Sequence, residues 1–423
     1  MTSIKLSIRS SHDTQPGTAT PIMPTAHSPL LAAPMELHQQ ILASLPDAPS
    51  LAAAALSCQQ LYAAFKNKES TLARAVLSNC IGAANLPEAL MVHRCSPPYL
   101  SNHVELQPRP LNSRMENQVA YVSRYIKRLN RSSFENTSIS MSDALALSDF
   151  HLKTVSILAQ RFIVICTERH DWQDPLRESI EKRPVSPLEW NRIERVLYRF
   201  ELFRKLFGRF LEGGQELLPL TKSFLKNFAP WENAQLGFYN YVAAHDIVWG
   251  AYNIGLNGYG GGAHQHLLTL GLTSILEIAR SETFEERSRL VGGGIPIQRM
   301  NNTFLKCALD HIWDIHDGNK KLAKAMRKIP PFFCDGDDGA EDTWRYTLEE
   351  RVYDFYTDPL FEWGCVMWDS ARFDFLEIYE ERERNPAAVF DERDVGYDSF
   401  GTRFDLYELG HRGYWAPDNR PSS

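Results

Sequence analysis

The chain has no run of 18 apolar residues, so no membrane-spanning helix and no membrane partner is expected. Its first residues lack the apolar stretch of a signal peptide. Its seven cysteines are odd in number, scattered and without a C-x-x-C pair. That pattern disfavours a disulfide framework and suits free thiols in a reducing compartment, cytoplasm or nucleus. A basic excess is also missing. The net charge is −7, so nucleic acid, which requires a basic footprint, is not an expected partner. No repeat of fixed period is present, and alternating β-branched residues are scarce, which leaves an all-α fold as the expectation. Hydrophobic residues make up 43% and charged residues 23%, near the globular norm, and 423 residues suffice for two or three domains.

Catalytic and ligand-binding motifs are equally scarce. Gly258-Tyr259-Gly260-Gly261-Gly262-Ala263 lacks the Gly-Lys-Ser/Thr ending of a phosphate loop and the spaced third glycine of a dinucleotide fingerprint, so it reads as loop punctuation. His264 and His266 have no nearby cysteine or carboxylate to complete a metal set. His311 and His316 lie roughly 140° apart around a helix and cannot grip one ion together. Asp335-x-Asp337-Asp338-Gly339 has calcium-loop composition, but the register puts Ala340 and Tyr346 where glycine and a bidentate glutamate are needed. Gly-x-Ser-x-Gly is absent and no nucleophile–base pairing stands out. The expectation is a non-enzyme with no catalytic residue, no cofactor and no metal.

What is present is a short, apolar, punctuated stretch from Leu30 to Phe65, read as three small helices. Pro34 suits the first helical position, with Glu36 in the first turn where the helix dipole favours negative charge. Leu37, Ile41 and Leu45 recur every four residues and share a face. Pro46-Asp47-Ala48-Pro49-Ser50 breaks the chain and offers Asp47 or Ser50 as a cap. A second helix is expected from Leu51 through the alanines, and Leu56, Leu61 and Phe65 continue the pattern. Helices this short cannot enclose their own apolar side chains, each worth roughly 1.5–3 kcal/mol when buried. They must dock on the rest of the chain or on another protein.

Pro34-Met35-Glu36-Leu37, Ile41-Leu42, Leu45, Leu51 and Leu56-Ser57-Cys58-Gln59-Gln60-Leu61-Tyr62 together resemble an F-box, over about a tenth of the chain. The resemblance implies a three-helix unit that binds a Skp-type adaptor and so a cullin ubiquitin ligase. It nominates Pro34, Leu37, Ile41, Leu45, Leu51, Leu56 and Leu61 as the partner-binding or motif-core set. The sequence departs from the usual pattern at Ala33 and Ala54, where larger apolar residues are common, and at Gln59 and Gln60, where basic residues are frequent. Two readings follow: a substrate adaptor recruiting an unknown protein target through its helical domain, or a protein-interaction protein whose F-box is degenerate and packed internally.

Along the rest of the chain, residues 1–29 read as a disordered tail, 30–82 as the F-box-like unit, 83–113 as a proline-rich linker, 114–384 as a larger, irregular helical domain and 385–423 as an irregular C-terminal segment. Residues after about 100 are expected to fold alone. Helices are expected from Thr71 to Ile81, from Met115, from Ser140 to Cys166, from Pro187, from Pro230, from Leu267 to Ala279, over 302–328, from Tyr346 to Tyr356 and from Leu360 to Glu380. Arg124, Lys127, Arg128 and Arg131 read as a solvated helix end. Ser186-Pro187-Leu188-Glu189 carries a capping serine, an early proline and a third-position glutamate. The helix it opens is expected to bury Ile193, Leu197, Phe200, Phe203 and Phe207, with Arg192, Arg195, Arg199 and Glu201 on or beside its outer face. This run and the one after Pro230 look like the helical region of fungal F-box-like proteins.

Overall fold

The computed structural model describes residues 33–95, 138–168 and 174–207, together with 221, 224–225, 228–229, 231–237, 267–281, 283, 286, 289–290, 339–343 and 364–372. Among these residues every regular element is helical and none is a strand, so the fold is all-α. The glycine loop, the four histidines, the basic cluster at 124–131 and Asp335–Asp338 lie outside them, as do the helices expected over 302–328 and from Tyr346 to Tyr356.

Three short helices come first: α1 (Met35–Ala43), α2 (Ala48–Ser57) and α3 (Gln59–Asn67). Pro34 precedes the first helix rather than entering it, and its carbonyl accepts from Leu37 and His38. The second helix starts three residues before Leu51, because Asp47 takes the cap and accepts from the Ser50 N–H at 2.7 Å. Cys58, in extended conformation, separates α2 from α3.

Helix α4 (Glu69–Ile81) is two-sided. Leu72 and Val76 close the small core of α1–α3, whereas Ala73, Leu77 and Ile81 face the main core. Helix α5 (Leu86–Arg94) occupies the stretch expected to begin a linker. Pro87 falls in the first turn of that helix, where its missing N–H costs nothing, so it starts the helix instead of breaking the chain. Leu86, Ala89, Leu90, Met91 and Val92 are buried in the main core.

Ser140 opens α6 (Met141–Phe150) through a full capping box with Asp143. A π-helical turn (His151–Val155) carries it without a break into α7 (Ser156–Glu168). The resulting helix, Met141–Thr167, is long and apolar enough to cross a bilayer although no uninterrupted apolar run occurs in it. Half of its most apolar window is buried inside the protein. Helix α8 (Asp174–Lys182) follows, then α9 (Pro187–Phe207), capped by Ser186 and Glu189 in both directions. Ile193, Leu197, Phe200, Phe203 and Phe207 are buried as expected.

Arg192, Arg195, Arg199 and Glu201 are buried too, against expectation. Carboxylates arriving from distant parts of the chain pair with two of these arginines. Arg192 meets Asp369 at 2.8 Å, and Arg199 meets Glu88 at 3.0 Å and Glu232 at 3.2 Å. Glu189 holds Arg372 at 2.7 Å. Glu201 accepts from Arg204 and from the Leu272 N–H that opens α10 (Leu272–Arg280).

Three further expectations change. The helix from Leu267 is interrupted at Gly271, whose φ of 93° no side chain tolerates well. The acidic, glycine-bearing stretch Cys334–Asp342 reads as a surface loop, yet its described part from Gly339 is helical, with Ala340 buried. Within the helix expected at 360–380, Gly364 is left-handed, Cys365–Met367 form a 3₁₀ turn and Trp368 is extended. Val366, Met367 and Trp368 are all buried, so this segment plugs the core.

Candidate partner-binding surface

The small core of the N-terminal unit is built from Leu42, Leu51, Ala55, Leu61, Ala64 and Phe65, roofed by Leu72 and Val76 of α4, with Met141 packed at its edge. The chain therefore covers one side of its own short helices. Asn79 of α4 fixes the arrangement by donating to the Ala43 carbonyl at 2.8 Å and the Leu45 carbonyl at 3.0 Å, at the C-terminal end of α1. Gln39 reaches the Ala64 carbonyl, tying α1 to α3. Glu69 joins the unit to the body, accepting from Lys66 at 2.9 Å and from the Met141 N–H at 3.0 Å. The hydrogen bond from Lys66 holds the Glu69 carboxyl below its ordinary range.

The other side stays open. Leu37 is 47% exposed, Ile41 42% and Leu56 76%, with Met35 at 42% and Tyr62 at 44%. Leu37 and Ile41 sit one turn apart on α1, turned away from the buried His38, Gln39 and Leu42. Of the seven large hydrophobic side chains that are exposed among the described residues, these five fall within Met35–Tyr62. Scattered apolar exposure is ordinary, and the concentration of five such side chains on one unit makes that unit the candidate surface.

The seven nominated residues therefore divide. Pro34, Leu37, Ile41 and Leu56 face outward. Leu51 and Leu61 belong to the small core and cannot touch a partner without unfolding. Leu45 is half-buried against that core. Met35 and Tyr62 were not nominated, although both lie inside the motif. Their sign in the sequence is that they are large and apolar yet fall off the inward stripe of their helices. Met35 keeps a local partner, its sulfur 3.1 Å from the Asn67 side-chain amide.

Among the described residues no three His, Cys, Asp or Glu side chains converge as a metal site. Among the described residues Cys58, Cys80, Cys95, Cys166 and Cys365 form no disulfide. Comparison with protein-family models, with curated proteins and with solved structures finds no match for this chain.

Proposed function

We propose that this protein is an F-box-like substrate adaptor. Its α1–α3 unit would receive a Skp-type adaptor of a cullin ubiquitin ligase, and its helical body would recruit a protein target. The exposed apolar set of Leu37, Ile41 and Leu56 on the segment that resembles an F-box carries the reading. The proposed mode is helix packing: an apolar face laid against a partner, with no chemistry asked of this chain. The competing reading, a degenerate motif packed internally, requires Leu37, Ile41 and Leu45 to be covered by residues after 100. Leu37 and Ile41 are exposed and Leu45 rests on α1–α4, which favours the adaptor.

The test is co-purification of the full chain with a Skp-type adaptor. Leu37→Asp with Ile41→Asp is expected to abolish capture while the unfolding midpoint stays within a few degrees, because both residues are exposed and surface changes cost roughly 0.5 kcal/mol or less. Capture that survives the double substitution, or a wild-type chain that captures nothing, ends this reading.

A further inference from the structure

Five buried carboxylates (Glu88, Glu189, Glu201, Glu232 and Asp369) each meet an arginine. Glu194 is the exception. Its side chain is 13% exposed, and the groups facing it are an amide, an imidazole and a phenol. Asn85, between α4 and α5, donates to it at 3.2 Å. The Nε2 of His151, at the start of the π turn, lies 3.7 Å away. The Nδ1 of His151 lies 3.0 Å from the Tyr198 hydroxyl on α9, and the Cys80 backbone at the end of α4 also hydrogen-bonds the ring. The Cys80 thiol contacts the Ser148 hydroxyl of α6 at 3.5 Å. Three parts of the fold meet here: the α4–α5 hairpin, the long helix α6–α7 at its π turn, and α9.

We propose that Glu194 and His151 form a proton-exchanging joint between the α4–α5 hairpin and the helical body. In the packed joint both groups are neutral, with the proton on the Glu194 carboxyl. On opening, the proton passes to His151, leaving a solvated carboxylate and a solvated imidazolium. Between about pH 4.5 and 6.5 one proton moves from one group to the other and none is exchanged with solvent. The fold supplies a permanent cation wherever it keeps a buried carboxylate charged, and here it supplies a titratable one.

Burial pushes the Glu194 carboxyl up to about 7, and burial pushes His151 down to about 4. Tyr198 is also raised, by burial and then by Glu194, and stays a neutral hydroxyl. Burial raises Cys80 as well, so it stays a thiol. Of the other charged groups on the surrounding elements, Asp143 meets His93, Asp149 meets Lys153, Arg195 acts on Glu88, Asp47 acts on Cys80, and Glu277 and Arg280 of α10 are exposed.

The signs follow from linkage. Glu194, raised when packed, contributes stability below about 4.5 that is lost as pH rises through about 7. His151, lowered when packed, contributes stability above about 6.5 that is lost as pH falls through about 4. Between about 4.5 and 6.5 the two slopes oppose and cancel.

The experiment is hydrogen exchange of α4 and α5 amides in the full-length chain, together with ring chemical shifts of labelled histidine, His151 being assigned by loss of its signal in His151→Gln. Wild-type opening is expected to be flat from pH 4.5 to 6.5. Glu194→Gln should open more readily as pH falls through that window, and His151→Gln as pH rises, each by up to roughly two orders of magnitude. At pH 5.5 the wild-type His151 ring should read as neutral. An imidazolium there, or slopes that do not change sign between the variants, overturns the proposal. Should Glu194→Gln fail to fold, the wild-type ring state decides; should His151→Gln fail, the slope of Glu194→Gln set against the flat wild type decides.

Discussion

Arg199 lies fully buried between Glu88 of α5 and Glu232 of the 231–237 helix, with its guanidinium carbon 4.3 Å from the Phe228 ring centroid. Removing one partner of such a set strands the others, because a buried charge without its counter-ion costs far more than the pair gains in place. Arg199→Met is therefore expected to cost about 3–5 kcal/mol in urea unfolding. Adding Glu88→Gln should restore part of that loss, and a double variant no better than the single would remove the ion pair from the account. The same residue marks where sequence reading stops. Ile193, Leu197, Phe200, Phe203 and Phe207 were legible on α9 because burial of apolar side chains leaves a helical period. Arg192, Arg195 and Arg199 read as solvent-facing because a charge announces burial only through its partner, and Glu88 and Asp369 lie more than a hundred residues from theirs. At the candidate surface, the motif was visible but not its two sides. Leu51 and Leu56 look alike in the sequence, and it is the packing of α2 against α3, α4 and α6 that sends one inward and leaves the other out.

At the scale of elements, starts were easier to read than continuations. The box at Ser186 is local chemistry, with a side chain and a backbone N–H three residues apart, and it is present; Ser140, read only as a helix start, carries a second one with Asp143. Breaks set by tertiary neighbours were not legible. Helix α10 begins at Gly271 because its first N–H is satisfied by Glu201 of α9 and because the chain there adopts φ 93° and ψ 167°, a region open almost solely to glycine. A Cβ at that position would stand 2.6 Å from the Arg204 Nε, the group that shares Glu201 with the α10 N-terminus. Gly271→Ala is thus expected to lose about 1–3 kcal/mol from backbone strain, seen as a lower thermal midpoint. An unchanged midpoint would mean that α10 does not depend on this junction. The early proline of α5 follows the same logic in reverse. Pro87 looked like a break, but what it contributes depends on whether a core waits for Leu86 and Leu90 beyond it.

For the whole molecule, α4 decides how the chain can be divided. One face of it roofs the N-terminal unit and the other belongs to the body, while α5 supplies the body with Glu88 and a run of buried apolar side chains. The sequence suggests a boundary near residue 100, with an independent domain beyond it; we propose an earlier cut, because α4 and α5 pack into the main core. Deleting residues 1–68 removes α1–α3 and bares Leu72 and Val76 but takes only Ala48 from the main core. That fragment is expected to unfold in one cooperative transition at a lower midpoint and to lose any Skp-type adaptor. Deleting residues 1–95 also removes Leu77, Ile81, Leu86, Leu90, Met91 and Val92 from the main core and strips Arg199 of Glu88. Each such side chain is worth roughly 1.5–3 kcal/mol, so together they match or exceed a typical stability of about 5–15 kcal/mol. The 96–423 fragment should therefore show no cooperative thermal transition by near-ultraviolet circular dichroism, whereas 69–423 should. A sharp transition in the shorter fragment would restore the boundary near residue 100 and make the α4–α5 hairpin an accessory to the body rather than part of it.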